Sequence, residues 1–283
     1  MMHQSPRLRQ VRSLLGPPRC EGNGYLVYCI DCLEGMPLIP PAVVDLTVTS
    51  PPYNIGKEYE RELPLEAYIE WCERWFAELH RLAADHGAFW LNLGYVSLPN
   101  RARAIPIPYL LWDKCPFYLI QEVVWNYGAG VAARKALSPR NEKFLWYVKD
   151  PENYVFELDE IRDPDVAYPN QKKRGKLRCN TIGKNPSDVW QIAKVTSGAD
   201  RSSHERAPHP AQFPLDLITR IIKGFSRPGD LVLDPFLGSG TTAEACLREG
   251  RDVVGFEIRQ DYCEFIARRL SRVVESQRTL FGT

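Results

Sequence analysis

Leu231-Val232-Leu233-Asp234-Pro235-Phe236-Leu237-Gly238-Ser239-Gly240-Thr241-Thr242-Ala243 is the stretch that decides the fold. An apolar run of strand composition ends at Asp234, turns through two glycines and enters Ala243-Glu244-Ala245-Cys246-Leu247-Arg248, which has helical composition and stops at Gly250. This is the strand, turn and helix entry of a nucleotide-binding βαβ unit, where glycines let the backbone approach a ligand that a Cβ would block. A second apolar strand, Val253-Val254-Gly255-Phe256, ends at Glu257, an acidic residue about 20 positions after the glycines, where such folds hold the ribose hydroxyls of an adenosine cofactor. Tyr262 to Leu270 reads as the next helix. Ala243 stands where a dehydrogenase fingerprint has its third glycine, and Pro235-Phe236 is not typical of a turn that grips a pyrophosphate. A cofactor without phosphates, such as S-adenosylmethionine, fits this turn better than a dinucleotide.

Working upstream, Thr49-Ser50-Pro51-Pro52-Tyr53-Asn54 follows a second strand-like run, Val43 to Val48. Two prolines end a strand because neither donates to a ladder, and a plain strand stop is one reading of the pair. The other is functional, since a rigid loop at the carboxyl end of a strand is where open α/β sheets bind ligands. The prolines fix a backbone carbonyl, Tyr53 offers a flat face, and Ser50 and Asn54 offer polar groups beside it. Such a set grips a planar heterocycle by its edge and its face.

Between the two landmarks, Tyr68, Trp71, Cys72, Trp75, Phe76 and Leu79 recur at helical spacing and predict a helix over 64–84 with this stripe in the core. Residues 87–93, 120–126 and 143–149 read as buried strands. Strands alternating with helices predict an α/β fold with a Rossmann-like, mostly parallel sheet. From Asp150 to His209 the periodicity fails, and the basic run Lys172, Lys173, Arg174, Lys176 and Arg178 suits phosphate contact through irregular loops. Arg134, Lys135 and Arg140 form a second basic loop of the same kind.

The chain has 283 residues, 44% of them hydrophobic and 25% charged, with a formal net charge of +1. Charge alone therefore argues neither for nor against nucleic acid. No apolar run reaches the roughly 20 residues that span a bilayer, so no membrane partner is expected. The basic N-terminus lacks the apolar segment of a secretory signal; it reads as a flexible or loosely docked arm, and cytoplasmic residence is the expectation. Cys29 and Cys32 make one C-x-x-C without a second ligand pair, so no metal site is expected.

Taken together, Ser50-Pro51-Pro52-Tyr53, then Lys184-Asn185-Pro186-Ser187-Asp188-Val189-Trp190, then His209-Pro210-Ala211-Gln212-Phe213-Pro214, then Phe236-Leu237-Gly238-Ser239-Gly240 resemble the ordered motifs of the β-class amino-group DNA methyltransferases. The resemblance covers residues 25–275 and implies a methyltransferase fold with circularly permuted motif order and a small target-recognition insertion. Its domains would be a flexible arm over 1–20, a catalytic half over 21–149, the insertion over 150–207, a cofactor half over 208–275 and a tail over 276–283. It implies S-adenosylmethionine as cofactor and double-stranded DNA as partner. Dimers are common in the family, and a cognate restriction endonuclease acting on the same site is a further partner the resemblance admits.

By the same resemblance Asp31, in Cys29-Ile30-Asp31-Cys32, contacts the cofactor's adenine amino group, although Ile30 replaces the usual glycine; capping a helix at Leu33 is its structural alternative. The cofactor set is then Asp31, Thr49, His209, Pro210, Phe213, Asp234, Pro235, Phe236, Gly238, Ser239, Gly240, Thr241, Thr242 and Glu257. Ser50, Pro51, Pro52 and Tyr53 form the catalytic set. The Ser50 hydroxyl and the Pro51 carbonyl would each accept an amino hydrogen and localise the nitrogen lone pair, while Tyr53 stacks on a base flipped from the duplex. No Pro-Cys dipeptide occurs, which sets carbon-5 cytosine methylation aside. In the family a Ser before Pro-Pro-Tyr leans toward the cytosine N4 amino group. Adenine N6 methylation, an RNA or protein substrate, and a non-catalytic S-adenosylmethionine or DNA binder are the alternatives.

Overall fold

In a computed structural model that describes residues 4–57, 60, 62–128, 130, 132–195 and 205–281, the elements run in the following order. First come α1 (Pro6–Leu15), β1 (Cys20–Gly22), β2 (Tyr25–Tyr28), α2 (Cys32–Gly35), β3 (Val44–Thr49), α3 (Leu65–Leu82), β4 (Ala83–Leu93), β5 (Tyr95–Leu98) and β6 (Ala102–Pro106). Then come α4 (Pro108–Leu111), β7 (Tyr118–Asn126), β8 (Asn141–Val148), β9 (Lys172–Lys173), β10 (Lys176–Leu177) and β11 (Val189–Gln191). The last are α5 (Leu215–Phe225), β12 (Leu231–Asp234), α6 (Thr241–Arg248), β13 (Asp252–Phe256) and α7 (Gln260–Phe281).

One sheet of nine strands has the order β1-β2-β13-β12-β3-β4-β8-β7-β11. Its centre, β2 through β4, is parallel, while β8 turns antiparallel to both β4 and β7. Strands β12 and β13 come last in the chain yet lie between β2 and β3, which is the permuted order expected from the motifs. Parallel pairing puts the carboxyl ends of β2, β13, β12, β3 and β4 on one edge, so loops distant in sequence meet there.

Period-two burial divides the core between the sheet's two faces. Leu231, Leu233, Phe89 and Leu91 face a cluster with Cys72, Trp75, Phe76 and Leu79 of α3. Val232, Leu46, Val48 and Trp90 face the opposite cluster with Ile218 and Ile221 of α5 and Ile266 of α7. Trp90 stacks on Trp146 and Trp190, with centroids 5.8 and 5.4 Å apart.

Three expectations are corrected. Residues 6–15 form a docked helix rather than a flexible arm: the Ser5 hydroxyl caps it by accepting from the Leu8 amide, Pro6 opens it, and Leu8 and Val11 are buried. Arg7 pairs with the buried carboxylate of Asp45, tying the helix to β3. The tail set at 276 is helical as far as Phe281. The 150–207 insertion is only partly separate from the core. Its β11 extends the main sheet beside β7, and Tyr154 and Phe156 pack on Trp146. Residues 196–204 of that insertion lie outside the described residues.

Candidate active site

Where the carboxyl ends of the parallel strands converge, a cavity of about 350 Å³ opens between the Ser50–Asn54 loop and the Pro235–Thr242 turn. Its wall includes all four expected catalytic residues, Ser50, Pro51, Pro52 and Tyr53. It also includes Asp31, His209, Phe213, Asp234, Pro235, Phe236, Gly238, Ser239, Thr241, Thr242 and Glu257. Three expected cofactor residues stand off it. Thr49 is fully buried and donates to Asp234 Oδ1 at 2.6 Å; Gly240, at φ +79°, lies under Ile266; Pro210 is exposed.

The catalytic loop is held from several sides. The Tyr68 hydroxyl donates to the Pro52 carbonyl at 2.8 Å. Asn54, with φ +61°, donates from its side chain to the Leu63 carbonyl at 2.8 Å and accepts from the Leu63 amide at 2.6 Å. Glu60 accepts from the amides of Asn54, Ile55 and Lys57. One side of the Tyr53 ring rests against Gly94, where a Cβ would come within 2.6 Å of its Cε2; only glycine lets the ring lie there. The Tyr53 hydroxyl donates to Asn92 Oδ1 at 2.6 Å, and the Ser50 hydroxyl donates to the Tyr53 oxygen at 2.9 Å.

On the opposite wall, Glu257 terminates β13. Its Oε2 accepts from the Gly238 amide at 2.9 Å and its Oε1 from the Arg259 amide at 2.8 Å. Burial pushes this carboxyl above its ordinary range, although both amides pull the other way. Burial likewise raises Asp234 to about 6, against the hydrogen bond from Thr49. His209 is lowered to about 4 by burial and by nearby Arg259, so its ring is neutral near pH 7. Gly238 sits at φ +53°, and a Cβ there would meet His209 Nε2 at 3.0 Å; glycine at this position serves both the turn and the close approach of the histidine. Asp31 caps α2 by accepting from the Leu33 amide at 2.8 Å while also lining the cavity, so its two readings are compatible.

Side chains that pattern reading left out complete the wall. Tyr68 and Trp71 of the α3 stripe line the cavity as well as packing in the core: Tyr68 is buried in the core cluster, and Trp71, at its edge, packs on Phe236 at 5.5 Å. Tyr262 lies edge-on to His209 at 4.7 Å. Four carboxylates, Asp31, Glu60, Asp234 and Glu257, line the cavity, and no Lys or Arg is among its described lining residues.

The basic candidates lie elsewhere. Strands β9 and β10 form a hairpin whose turn, Arg174 at φ +52° and Gly175 at φ +80°, has both central residues left-handed, as a two-residue hairpin turn requires. Lys172, Lys173, Arg174, Lys176 and Arg178 are exposed along it. Arg134 and Lys135 are exposed on the loop between β7 and β8, and Arg140 is half-buried at its end. None of the eight lines the cavity. Among the described residues no group of three His, Cys, Asp or Glu is placed to hold a metal ion, and no helix is long and apolar enough to cross a membrane.

A family model described as DNA methylase matches residues 44–269. Type II methyltransferase M.ScaI of Streptomyces caespitosus is 60% identical over 270 residues, covering 95% of this chain and 89% of its own length. DNA adenine methyltransferase YhdJ of Escherichia coli (strain K12) is 32% identical over 263 residues, covering 90% of this chain and 85% of its own. PvuII DNA methyltransferase (cytosine-N4-specific) shares the fold, with a TM-score of 0.72 over 94% of this chain and 96% of its own at 20% identity.

Proposed function

The chain belongs to the DNA methylase family, the amino-group methyltransferases of the β class, and from that premise we propose that it methylates the exocyclic N4 amino group of cytosine in duplex DNA, with S-adenosylmethionine as donor. The observation that carries the donor assignment is the charge of the cavity. Four carboxylates without a described Lys or Arg in the wall repel a pyrophosphate and suit a ligand carrying a sulfonium and an ammonium group. Glu257, its carboxylate oriented by two backbone amides, would accept from the ribose hydroxyls, and Asp31 from the adenine amino group. When bound, S-adenosylmethionine would supply a methyl group to the amino nitrogen, whose lone pair forms the new N–C bond as the C–S bond breaks, the electrons of that bond staying on sulfur and one amino proton leaving to water.

The chain's own residues do the positioning. The Ser50 hydroxyl oxygen and the Pro51 carbonyl each accept one amino hydrogen, drawing the nitrogen toward tetrahedral geometry and freeing its lone pair from the ring. Tyr53, backed by Gly94, stacks on the flipped base and returns part of the few kcal/mol that unstacking costs. The Tyr68 and Asn54 clamps on the loop keep the Pro51 carbonyl in one place, so that little reorganisation accompanies the reaction.

Serine ahead of Pro-Pro-Tyr supports cytosine. A second reading, adenine N6 on the same fold, draws on the 32% identity to an enzyme named as an adenine methyltransferase. Incubating the protein with S-adenosylmethionine and unmethylated duplex DNA, then identifying the methylated nucleoside by mass, decides between them. N4-methylcytosine is expected. N6-methyladenine would overturn the base assignment, and no methylated nucleoside would overturn the DNA reaction itself. The resemblance to proteins named type II methyltransferases favours a restriction–modification setting, and eight free thiols suit a reducing compartment such as the cytoplasm.

The exposed β9–β10 hairpin is proposed to hold phosphates. Changing Lys172, Lys173 and Lys176 together to Gln should weaken DNA binding similarly on all sequences. The slope of log K against log salt should become shallower by about 0.9 for each phosphate that is no longer neutralised. An unchanged slope in a filter-binding salt titration would remove the hairpin from the DNA interface.

A further inference from the structure

We propose that Asn92, on β4, is a positioning residue that turns the Ser50 hydroxyl so that its oxygen, rather than its proton, faces the target amino group. The proposal rests on the reading of Ser50 as an acceptor for that group. A serine hydroxyl carries one proton and two lone pairs and rotates freely. Pointed into the cavity, the proton would oppose the amino hydrogens; pointed away, both lone pairs face them.

The hydrogen bonds behind the loop decide the direction. Asn92 is 1% exposed, so water does not compete for it. Its Nδ2 donates to the Lys143 carbonyl of β8 at 3.1 Å, which leaves Oδ1, and not the amide hydrogens, facing the loop. That oxygen accepts from the Tyr53 hydroxyl at 2.6 Å. A second group near the Tyr53 hydroxyl is also an acceptor, Glu142 Oε2 at 3.4 Å, and Glu142 is itself paired to Lys194 at 2.5 Å. With its proton committed to these acceptors, the Tyr53 oxygen is left to accept from Ser50 at 2.9 Å. Asn92 Oδ1 lies 3.3 Å from Ser50 Oγ as a second acceptor for the same proton. Each route draws the Ser50 proton inward.

The test uses the full chain with S-adenosylmethionine and duplex DNA, comparing single-turnover methyl transfer in Asn92→Leu, Ser50→Ala and the double variant. Asn92→Leu should slow the reaction on the order of 30-fold with cofactor affinity unchanged, less than the roughly 10²–10³-fold lost when a hydrogen-bonding group at the transition state is removed outright, because the Ser50 hydroxyl itself remains. The double variant should be no slower than Ser50→Ala alone, because Asn92 acts through the Ser50 hydroxyl. Asn92→Asp, which keeps an acceptor facing both hydroxyls, should stay within about tenfold of the wild type. Multiplicative losses in the double variant would overturn the proposal, as would Asn92→Asp as slow as Asn92→Leu with cofactor affinity intact. Were Asn92→Leu to lose cofactor binding through misfolding, Asn92→Asp against Ser50→Ala would still carry the test. A wild-type chain that methylates no DNA amino group would instead sink the functional reading on which the proposal stands.

Discussion

Replacing Glu257 with alanine should weaken S-adenosylmethionine binding by roughly 10²–10³-fold, the loss expected when two charge-assisted hydrogen bonds to a ligand are removed. Both oxygens of this carboxylate are already fixed by the Gly238 and Arg259 amides. Each keeps a lone pair, so the group meets a vicinal diol without reorganising. Glu257→Gln, which keeps one acceptor oxygen, should fall between the two proteins. Isothermal titration measures all three, and an alanine variant within about threefold of the wild type would remove Glu257 from the cofactor site.

The same carboxylates give the binding a pH dependence whose sign follows from burial. Asp234 is raised to about 6 and Glu257 is shifted in the same direction, so both are protonated more readily than ordinary carboxyls. A cationic ligand prefers their ionised forms. Affinity should therefore increase as pH rises through about 6 and fall on acidification, and Asp234→Asn should flatten the curve.

Replacing Tyr53 with alanine should lower kcat/KM by roughly 10²-fold, since base–aromatic stacking is worth about 1–3 kcal/mol and a misplaced base loses further alignment. Tyr53→Phe should cost no more than about tenfold, because the ring still rests on Gly94 and Ser50 can direct its proton to Asn92 Oδ1 at 3.3 Å. Cofactor affinity should be nearly unchanged in both variants. With 2-aminopurine in place of the target base, the alanine variant should show the larger deficit in flipped-base fluorescence. A phenylalanine variant as slow as the alanine variant would show that the hydroxyl, not the ring, carries the role.

Much of the site was legible because its parts are local. The strand, glycine turn and helix from Leu231 to Arg248 are set by near-neighbour sterics and burial, and so is the stop imposed by Pro51-Pro52. Glu257 could be found by its distance along the chain from the glycines. The stripe on α3 was legible as a helix, yet periodicity reports only that a face is apolar; it did not separate Trp75, fully buried, from Trp71, which lines the cavity. Residues 6–15 carried their cap and their two apolar anchors in plain view, but the buried carboxylate of Asp45 that receives Arg7 belongs to a strand far along the chain.

By itself the sequence determined the α/β class, the permuted order of its motifs and the identities of the residues at the ends of β3, β12 and β13, because these depend on patterns a few residues long. Only the tertiary structure decided that those ends meet, that Asn92 directs the Ser50 and Tyr53 hydroxyls, and that four carboxylates line one cavity with no described Lys or Arg. The physical reason is that hydrogen-bond direction and local charge depend on which strands lie side by side, and β12 lies beside β3 only through the pairing of residues such as Val232 with Leu46.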